Sequence, residues 1–429
     1  MNSHQPGPGR LLGVTSLAHF LNDGVVFFIP VIGDLLSQDH HVSAALVTAM
    51  LTLFYITSAG SGIAVGLVAD AIGRRGTMIA LGIATLGVSL LGFYAALSLQ
   101  GVPGDVLVLV AAVVAGFGSS FYHPLGGSVL QLGYSGGSRG RALGINGAAG
   151  SFGRALYPAL FFVIAALGIS RPATAVVFGV LSLLAATVVA LGLPAYAGET
   201  GAAASAGGPV GGEVHGAQMS ARAGSGGGSL RSLLSRSVVA LMGIAFFRSV
   251  AFIGIVSWIP IYLTTQRHAG LSTSLGWTVT VMYAGGIVGQ PMFGFLADRF
   301  DKRLMLAVDS LGSALGIFAF LSTSGTGAAA LLALVVFGFF TFSGFPLLMS
   351  LVADYVPKSS STTGNALVWG VGSTGGQALG PLVTSLLMGG SDARLGTAFA
   401  VLGAMTAATV LATPLLERTT RSARMALFG

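Results

Sequence analysis

The sequence has no cysteine and very little charge. Without cysteine, disulfides, thiolate nucleophiles and cysteine metal sites are excluded, while the compartment stays open. Charged residues make up 8% of the 429 positions, 20 Lys+Arg against 13 Asp+Glu. A soluble domain carries about a quarter, so an ordinary water-soluble protein is excluded. The formal charge of +7 does not point to nucleic acid, because the basic residues come one to three at a time and form no stripe with interleaved aromatics. Enzyme signatures are missing as well. No nucleophile elbow, metal cluster, phosphate loop or paired carboxylates can be found, so no enzyme activity and no cofactor is expected.

What the chain does have is apolar length. Hydrophobic residues make up 53% of it and the mean hydropathy is +0.86. The apolar runs are long enough to cross the roughly 30 Å of a bilayer core as helices. Counted between turn-rich breaks, twelve spans result: about 11–36, 43–69, 77–98, 105–132, 140–168, 172–195, 233–264, 272–297, 303–323, 327–354, 361–388 and 393–416. The 66 glycines let such helices approach closely where hydrophobic collapse gives no help. Between spans six and seven, Gly198 to Ser232 is dominated by Gly, Ala and Ser, the composition of a flexible tether. The expected organisation is therefore a six-helix bundle over 1–195, a linker over 196–232 and a second six-helix bundle over 233–429. The short polar stretch Met1 to Arg10 and the length of the first apolar run argue against a cleavable signal.

Orientation follows from Lys and Arg. Arg10, Arg74, Arg75, Arg139, Arg141, Arg222, Arg231, Arg236, Arg299, Lys302, Arg303, Lys358, Arg418, Arg421 and Arg424 fall on one side, against Arg171, Arg267 and Arg394 on the other. The positive-inside rule then places both termini and the tether in the cytoplasm, in a multi-pass protein of the cytoplasmic (inner) membrane.

The two halves also repeat each other. Gly66, Asp70, Gly73, Arg74 and Arg75 recur 228 positions later at Gly294, Asp298, Asp301, Lys302 and Arg303. Gly116, Phe117, Pro124 and Leu125 recur at an offset of 222 as Gly338, Phe339, Pro346 and Leu347. Gly153 and Pro158 recur 223 positions later as Gly376 and Pro381. Ordered recurrence of three motifs marks a duplication, and two parallel six-helix halves around a midplane site is a transporter plan.

The loop after span two, repeated after span eight, resembles the signature of the major facilitator superfamily. Within that superfamily, Ser16 to Asp23, with His19 and Asn22, and Gly118 to Pro124, with His123, resemble the fosmidomycin resistance protein group. Asp354 to Pro357, closing span ten, is similar to that group's acidic-x-x-Pro ending. The resemblance implies a proton-coupled carrier, typically an exporter of small antibiotic-like or metabolic compounds, that alternates between inward-open and outward-open states. Two positions depart from the pattern: Arg154 stands where a small polar residue is expected, and Ala71 replaces the arginine usual after the first loop aspartate.

At the loops, a carboxylate beside arginines can latch the cytoplasmic face, so Asp70, Arg74 and Arg75, with Asp298, Lys302 and Arg303, are candidate gating residues. At the midplane, Asp23, Arg154 and Arg248 lie 12 or 13 residues from Arg10, Arg141 and Arg236, a common depth of about 18–20 Å at 1.5 Å per residue. Each must face water or a partner. Asp23 and Arg154 either form a structural bridge or belong to a wet site. Arg248 is left unmatched, so two arginines against one carboxylate point to a small organic anion as substrate. Asp23 is the expected proton carrier, with His19 and Asn22 on its helical face and His123 either a relay or a packing residue. Tyr122, Trp369 and Gln377 are candidate pocket residues, Gln377 because it occupies the repeat position of Arg154. No metal site is expected, since His19 and His123 lack a third histidine or cysteine. The expected function is a proton-coupled exporter (antiporter) of small organic anions or antibiotic-like compounds, acting as a monomer. An importer of organic anions, or a sensor on a transporter scaffold, is the alternative.

Overall fold

The computed structural model describes residues 7–40, 42–99, 101–134, 136–193, 234–356, 364 and 366–418. The expected linker at 196–232 lies outside them, as does most of the stretch from Met1 to Arg10. The described residues are helical, with no strand among them. In chain order the helices are α1 (Pro8–Asp39), α2 (Ala44–Ile72), α3 (Arg75–Leu97), α4 (Val102–Ser119), α5 (Tyr122–Gly133), α6 (Gly136–Ala166), α7 (Arg171–Gly192), α8 (Arg236–Thr265), α9 (Thr273–Arg299), α10 (Lys302–Ser322), α11 (Ala328–Tyr355), a π-helix (Ala366–Thr374), α12 (Gly375–Met388) and α13 (Leu395–Ala408). Short 3-10 turns, Asp392–Arg394 and Thr409–Leu415, flank α13.

Among the described residues, 10 helices are long and apolar enough to cross a membrane. They correspond to spans one to nine and twelve. Ala328–Gly344 supplies a shorter apolar helix for span ten, and the π-helix running into α12 forms span eleven. The chain is a multi-pass membrane protein.

Local chemistry sets the breaks. Ser43, Ser170 and Ser235 cap α2, α7 and α8 by accepting from backbone N–H groups three residues on. Gly73, in the loop motif, ends α2 at φ 70, a left-handed conformation that costs glycine little. Span four is interrupted between α4 and α5, at Ser120 and Phe121, just before Pro124. A proline there has no N–H to continue the ladder, but it is tolerated within the first turn of a new helix.

Helices α1 to α7 pack mainly among themselves, and those from α8 onward do likewise. The principal bridges between the two groups are α6 with α9, α2 with α12, and α1 with α8. The duplication is visible in how glycines admit neighbouring backbones. A Cβ on Gly116 would strike the backbone of Phe54, and one on Gly338 the backbone of Met282. Gly153 faces the backbone of Phe20 in the same way, and Gly376 that of Phe246. Each pair of contacts occupies equivalent positions in the two repeats. The recurring glycines of the sequence are thus the points where helices touch at backbone distance.

Gly338→Val should push α9 and α11 apart, at a cost of about 1–3 kcal/mol for overpacking, and lower the melting temperature in detergent. Gly294→Ala, where a Cβ meets nothing within 4 Å, should leave it unchanged. Equal thermal melts for the two variants would refute the close-approach reading.

Candidate functional site

The site is centred on Asp23 of α1, a carboxylate with side-chain exposure of only 3%. Four side chains meet it. Asn22 donates from Nδ2 to Oδ1 at 3.1 Å. His19 Nε2 lies 3.4 Å from Oδ2, and His123 Nε2, from α5, 3.4 Å from Oδ1. Arg154 Nε, from α6, is 3.8 Å from Oδ2. The spacing of four between His19 and Asp23 puts both on one helical face, and the break before α5 allows His123 to reach the same carboxylate. His123 is largely exposed, at 61%, so the cluster has an open side.

Protonation can be reasoned from the partners. His19 Nδ1 faces the backbone oxygen of Asn146 at 2.8 Å and its side-chain Oδ1 at 3.0 Å. A carbonyl only accepts, so Nδ1 carries a hydrogen and donates it. Nε2 then meets a carboxylate oxygen, and two bare acceptors cannot share that contact. Either the imidazole is protonated at both nitrogens or the carboxyl holds the proton. Tyr122 supports the arrangement: its hydroxyl donates to the Thr15 carbonyl or to Asn146 Oδ1, each at 3.0 Å. Its ring stacks on His19 at 4.6 Å. Tyr122, expected among pocket residues, is buried and positions His19.

Arg154 is held loosely by charge and closely by aromatic rings. It donates to Ser151 Oγ at 2.7 Å. Its guanidinium lies 5.2 Å from the ring centre of Phe27 in α1 and 5.1 Å from that of Phe342 in α11. Cation–π contacts of this kind are worth about 0.5–2 kcal/mol each. Phe27 and Phe342 belong to the two different helix groups, so Arg154 sits in the seam between them. Phe252 and Tyr283 complete the aromatic cluster around Phe27. Cross-group hydrogen bonds, ring contacts and cation–π contacts among the described residues lie at this level or nearer the C-terminal end of α1, and they seal that end.

Arg248 requires a correction. It is not an unmatched cation, because Asp309 of α10 accepts a short charged hydrogen bond from its guanidinium, and Ser310 accepts another. Both members are buried, with side-chain exposures of 8% and 0%, and they lie against Gly344 of α11, where a Cβ would collide with Arg248. The inventory is thus two arginines and two aspartates, without the net positive charge expected at the midplane. Asp309 lies within span nine, and a lone carboxylate within a membrane span is itself a signal for a partner.

The other expected residues are dispersed. Gln377 is half-buried in α12, and Trp369 is half-buried in the π-helix. Lys302 pairs with Asp354 at 2.7 Å and Arg303 with Asp301 at 2.8 Å, while Arg303 also donates to the Leu416 carbonyl. These contacts stay within the second helix group. Asp70 and Asp298 lie in α2 and α9, with side chains outside the described residues. Arg74 is exposed at the start of α3, next to Arg75.

His19, Asp23 and His123 offer three ligand atoms within 4.8 Å of one another. A carboxylate thus supplies the third group that the histidines lacked in the sequence. The adjacent Arg154 guanidinium, 3.8 Å from the same carboxylate, opposes a metal cation there.

Asp309→Ala should leave Arg248 buried without its partner and destabilise the protein by about 3–5 kcal/mol, whereas replacing both with apolar residues, R248M/D309L, should recover most of that loss. Thermal melts that show the double variant no more stable than Asp309→Ala would contradict a self-contained pair.

Comparison with known proteins agrees with this architecture. The profile described as Major Facilitator Superfamily matches residues 14–381 and 272–426. An uncharacterized MFS-type transporter of Enterobacter sp. (strain 638) is 35% identical over 130 residues, 30% of this chain and 32% of that relative. The MFS-type transporter YcaD of Escherichia coli (strain K12 / DH10B) is 34% identical over 130 residues, with the same coverage of 30% and 32%. The match thus spans about a third of the length of these curated relatives. Among solved structures, a bacterial homolog to the human lysosomal transporter Spinster, inward-facing and occupied, aligns with a TM-score of 0.66 and 17% identity over 98% of this chain and 96% of its own. The inward-open xylose transporter XylE from E. coli aligns at 0.70 and 16% identity over 96% and 97%. A mutant of the nucleoside transporter NupG aligns at 0.71 and 13% over 95% and 100%. At such identities the likeness concerns the fold alone. With twelve spans, a duplicated loop motif and a profile match over most of its length, the chain belongs to the major facilitator superfamily of membrane transporters.

Proposed function

We propose that this transporter exports small organic anions or antibiotic-like compounds in exchange for protons, by alternating access. The observation that carries this reading is the sharing of Asp23 by His19, His123 and Arg154. An anionic substrate arriving from the open side competes with Asp23 for Arg154, whose planar fork suits carboxylate, phosphate or phosphonate oxygens. Freed from the arginine, Asp23 takes a proton more readily; with a proton on it, its hold on Arg154 weakens. Substrate and proton thus loosen the same carboxylate–guanidinium contact and favour each other's binding, so this contact supports proton coupling, while exchange rather than co-transport rests on the family resemblance. Because Arg154 also lies between Phe27 and Phe342 of the two helix groups, a ligand on it changes the balance of states by its differential contacts. Arg248, tied to Asp309, serves the second helix group and binds substrate only at the expense of that pair.

The excess of basic residues at one end supports cytoplasmic termini, and with that orientation the sealed end would face outward, as in an inward-open transporter. The likeness of Ser16 to Asp23 and of Gly118 to Pro124 to the fosmidomycin resistance group supports efflux as the direction, while the anionic substrate class rests on Arg154 alone. The two histidines and Asn22 tune Asp23. Asp70, Arg74, Arg75, Asp298, Lys302 and Arg303 are proposed to steady the cytoplasmic ends, Lys302 and Arg303 through their ion pairs. The protein is proposed to act as a monomer of two bundles, 1–195 and 233–429, joined by the tether at 196–232.

In proteoliposomes, Arg154→Ala should weaken transport of a labelled phosphonate roughly ten- to hundredfold, as expected for loss of a charged hydrogen bond worth about 1.5–3 kcal/mol. Asp23→Asn should abolish accumulation driven by a pH gradient while keeping counterflow. Wild-type rates in Arg154→Ala, or gradient-driven accumulation in Asp23→Asn, would refute the mechanism. Protection of sensitive cells against cationic dyes alone would refute the substrate class.

A further inference from the structure

A second carboxylate on α1 lies outside the mechanism above. Asp34 is fully buried, at 0% exposure, close to the sealed end. It faces Thr264 of α8, whose Oγ1 is 2.7 Å from Asp34 Oδ1. The two residues are 230 positions apart, the offset that also relates Pro30 to Pro260 inside the same two helices. They are therefore equivalent positions of the two repeats, meeting across the seam. The other oxygen, Oδ2, has no hydrogen-bond partner among the described residues.

The surroundings leave no place for a negative charge. Gln38, one turn along α1, is the other polar neighbour, and the charged groups that act on Asp34, Asp39 and Asp392, are both acidic. The cations of this end are engaged elsewhere. Arg171 of α7 is bound to Asp39 at 2.7 Å and to the Leu271 carbonyl at 3.2 Å. Arg267 donates to the carbonyls of Phe320 and Thr323 and stacks on Tyr262 and Phe320. His40, His268 and Arg394 also lie at this end, and none forms an ion pair with Asp34 among the described residues. The adjoining stretches of α2 (44–58) and α6 (155–166) carry no charged side chain. An ionised Asp34 would be a buried carboxylate with only the neutral Thr264 hydroxyl and Gln38 amide beside it and no counter-charge, an unfavourable state. The acid form fits the hydrogen-bond geometry. Its O–H donates to Thr264 Oγ1, and the threonine hydroxyl passes its own hydrogen to the Ile261 carbonyl at 3.0 Å or the Pro260 carbonyl at 3.3 Å.

We propose that Asp34 is a second proton-binding site of the transporter, which takes up a proton when the seam between α1 and α8 closes and releases it when the seam opens to water. The sign follows from linkage. The closed form binds one more proton than the open form, so acid favours closure, by up to about tenfold in the closed-to-open ratio per pH unit for one proton. With the sealed end facing outward, an acidic exterior would hold the outer gate shut, separately from the exchange at Asp23.

The chain has no cysteine, so L99C/S324C places two spin labels without background, both at exposed positions of the sealed end on the two helix groups. Electron–electron distance measurements in lipid nanodiscs from pH 8.5 to 5.5 should show the short-distance population growing as pH falls. Asp34→Asn, which mimics the acid form, should stay closed throughout. Thr264→Val, which removes the acceptor hydroxyl, should move the midpoint to lower pH. A pH-invariant distribution in the wild-type background overturns the proposal. So does an Asp34→Asn response equal to that of the wild type, or a Thr264→Val curve that superimposes on it. Neither substrate nor a transport assay is needed, so failure here is distinguishable from failure at Arg154 or Asp23.

Discussion

The cost of holding charge within hydrocarbon orders this structure. Insertion scales put a midplane charge at about 2.5–3.5 kcal/mol or more, so each ionised side chain there must find water or a counter-charge. Arg248 and Asp309 meet that requirement completely, in a buried pair that lies against a glycine of α11. Asp23 and Arg154 meet it incompletely, at 3.8 Å, with two histidines sharing the carboxylate and two aromatic rings facing the guanidinium. A contact that is satisfied several ways at similar cost can change partners, whereas one satisfied a single way is structural. The difference between the two pairs is the physical basis for assigning exchange to the first helix group and rigidity to the second.

Much of the architecture was legible because the bilayer restricts the choice of structure. Apolar runs of sufficient length have to be helices, and the recurring motifs reported the duplication that the glycine contacts display. Gly116 and Gly338 are readable from sequence as repeated, yet what each touches, the backbones of Phe54 and Met282, depends on helix packing. The interruption of span four was less visible, since Pro124 signals a disturbed ladder without saying on which side the helix restarts.

The site was legible in part, for a reason that particular residues make clear. His19, Asn22 and Asp23 are neighbours on one helix, so their spacing brings them together before any tertiary structure is considered. Arg154 and His123 could be placed at the right depth but not on the right face, because depth follows from counting residues whereas facing depends on packing. Asn146, which fixes the tautomer of His19, gave no signal, since an asparagine in a glycine-rich helix is common. Asp309 and Asp34 did carry one. Each is a carboxylate inside an apolar run, and weighing only the charges that shared one counted depth left both aside.

Asp23 and Asp34 also bear a simple relation to each other. Eleven residues of α-helix span about 16 Å and turn through almost whole revolutions, so the two carboxylates lie on nearly the same face of α1. Phe27, which covers Arg154, lies near that face one turn beyond Asp23, and Pro30 follows before Asp34. Proline leaves the carbonyl of Val26 without its helical N–H partner. A polar group is thereby freed between the two acids, within a helix that is otherwise apolar there. The face of α1 that meets the second helix group therefore runs from an acid shared with histidines, past the aromatic cover of an arginine, to an acid shut in the seam. Any tilt that separates Phe27 from Phe342 also acts on the contact between Asp34 and Thr264.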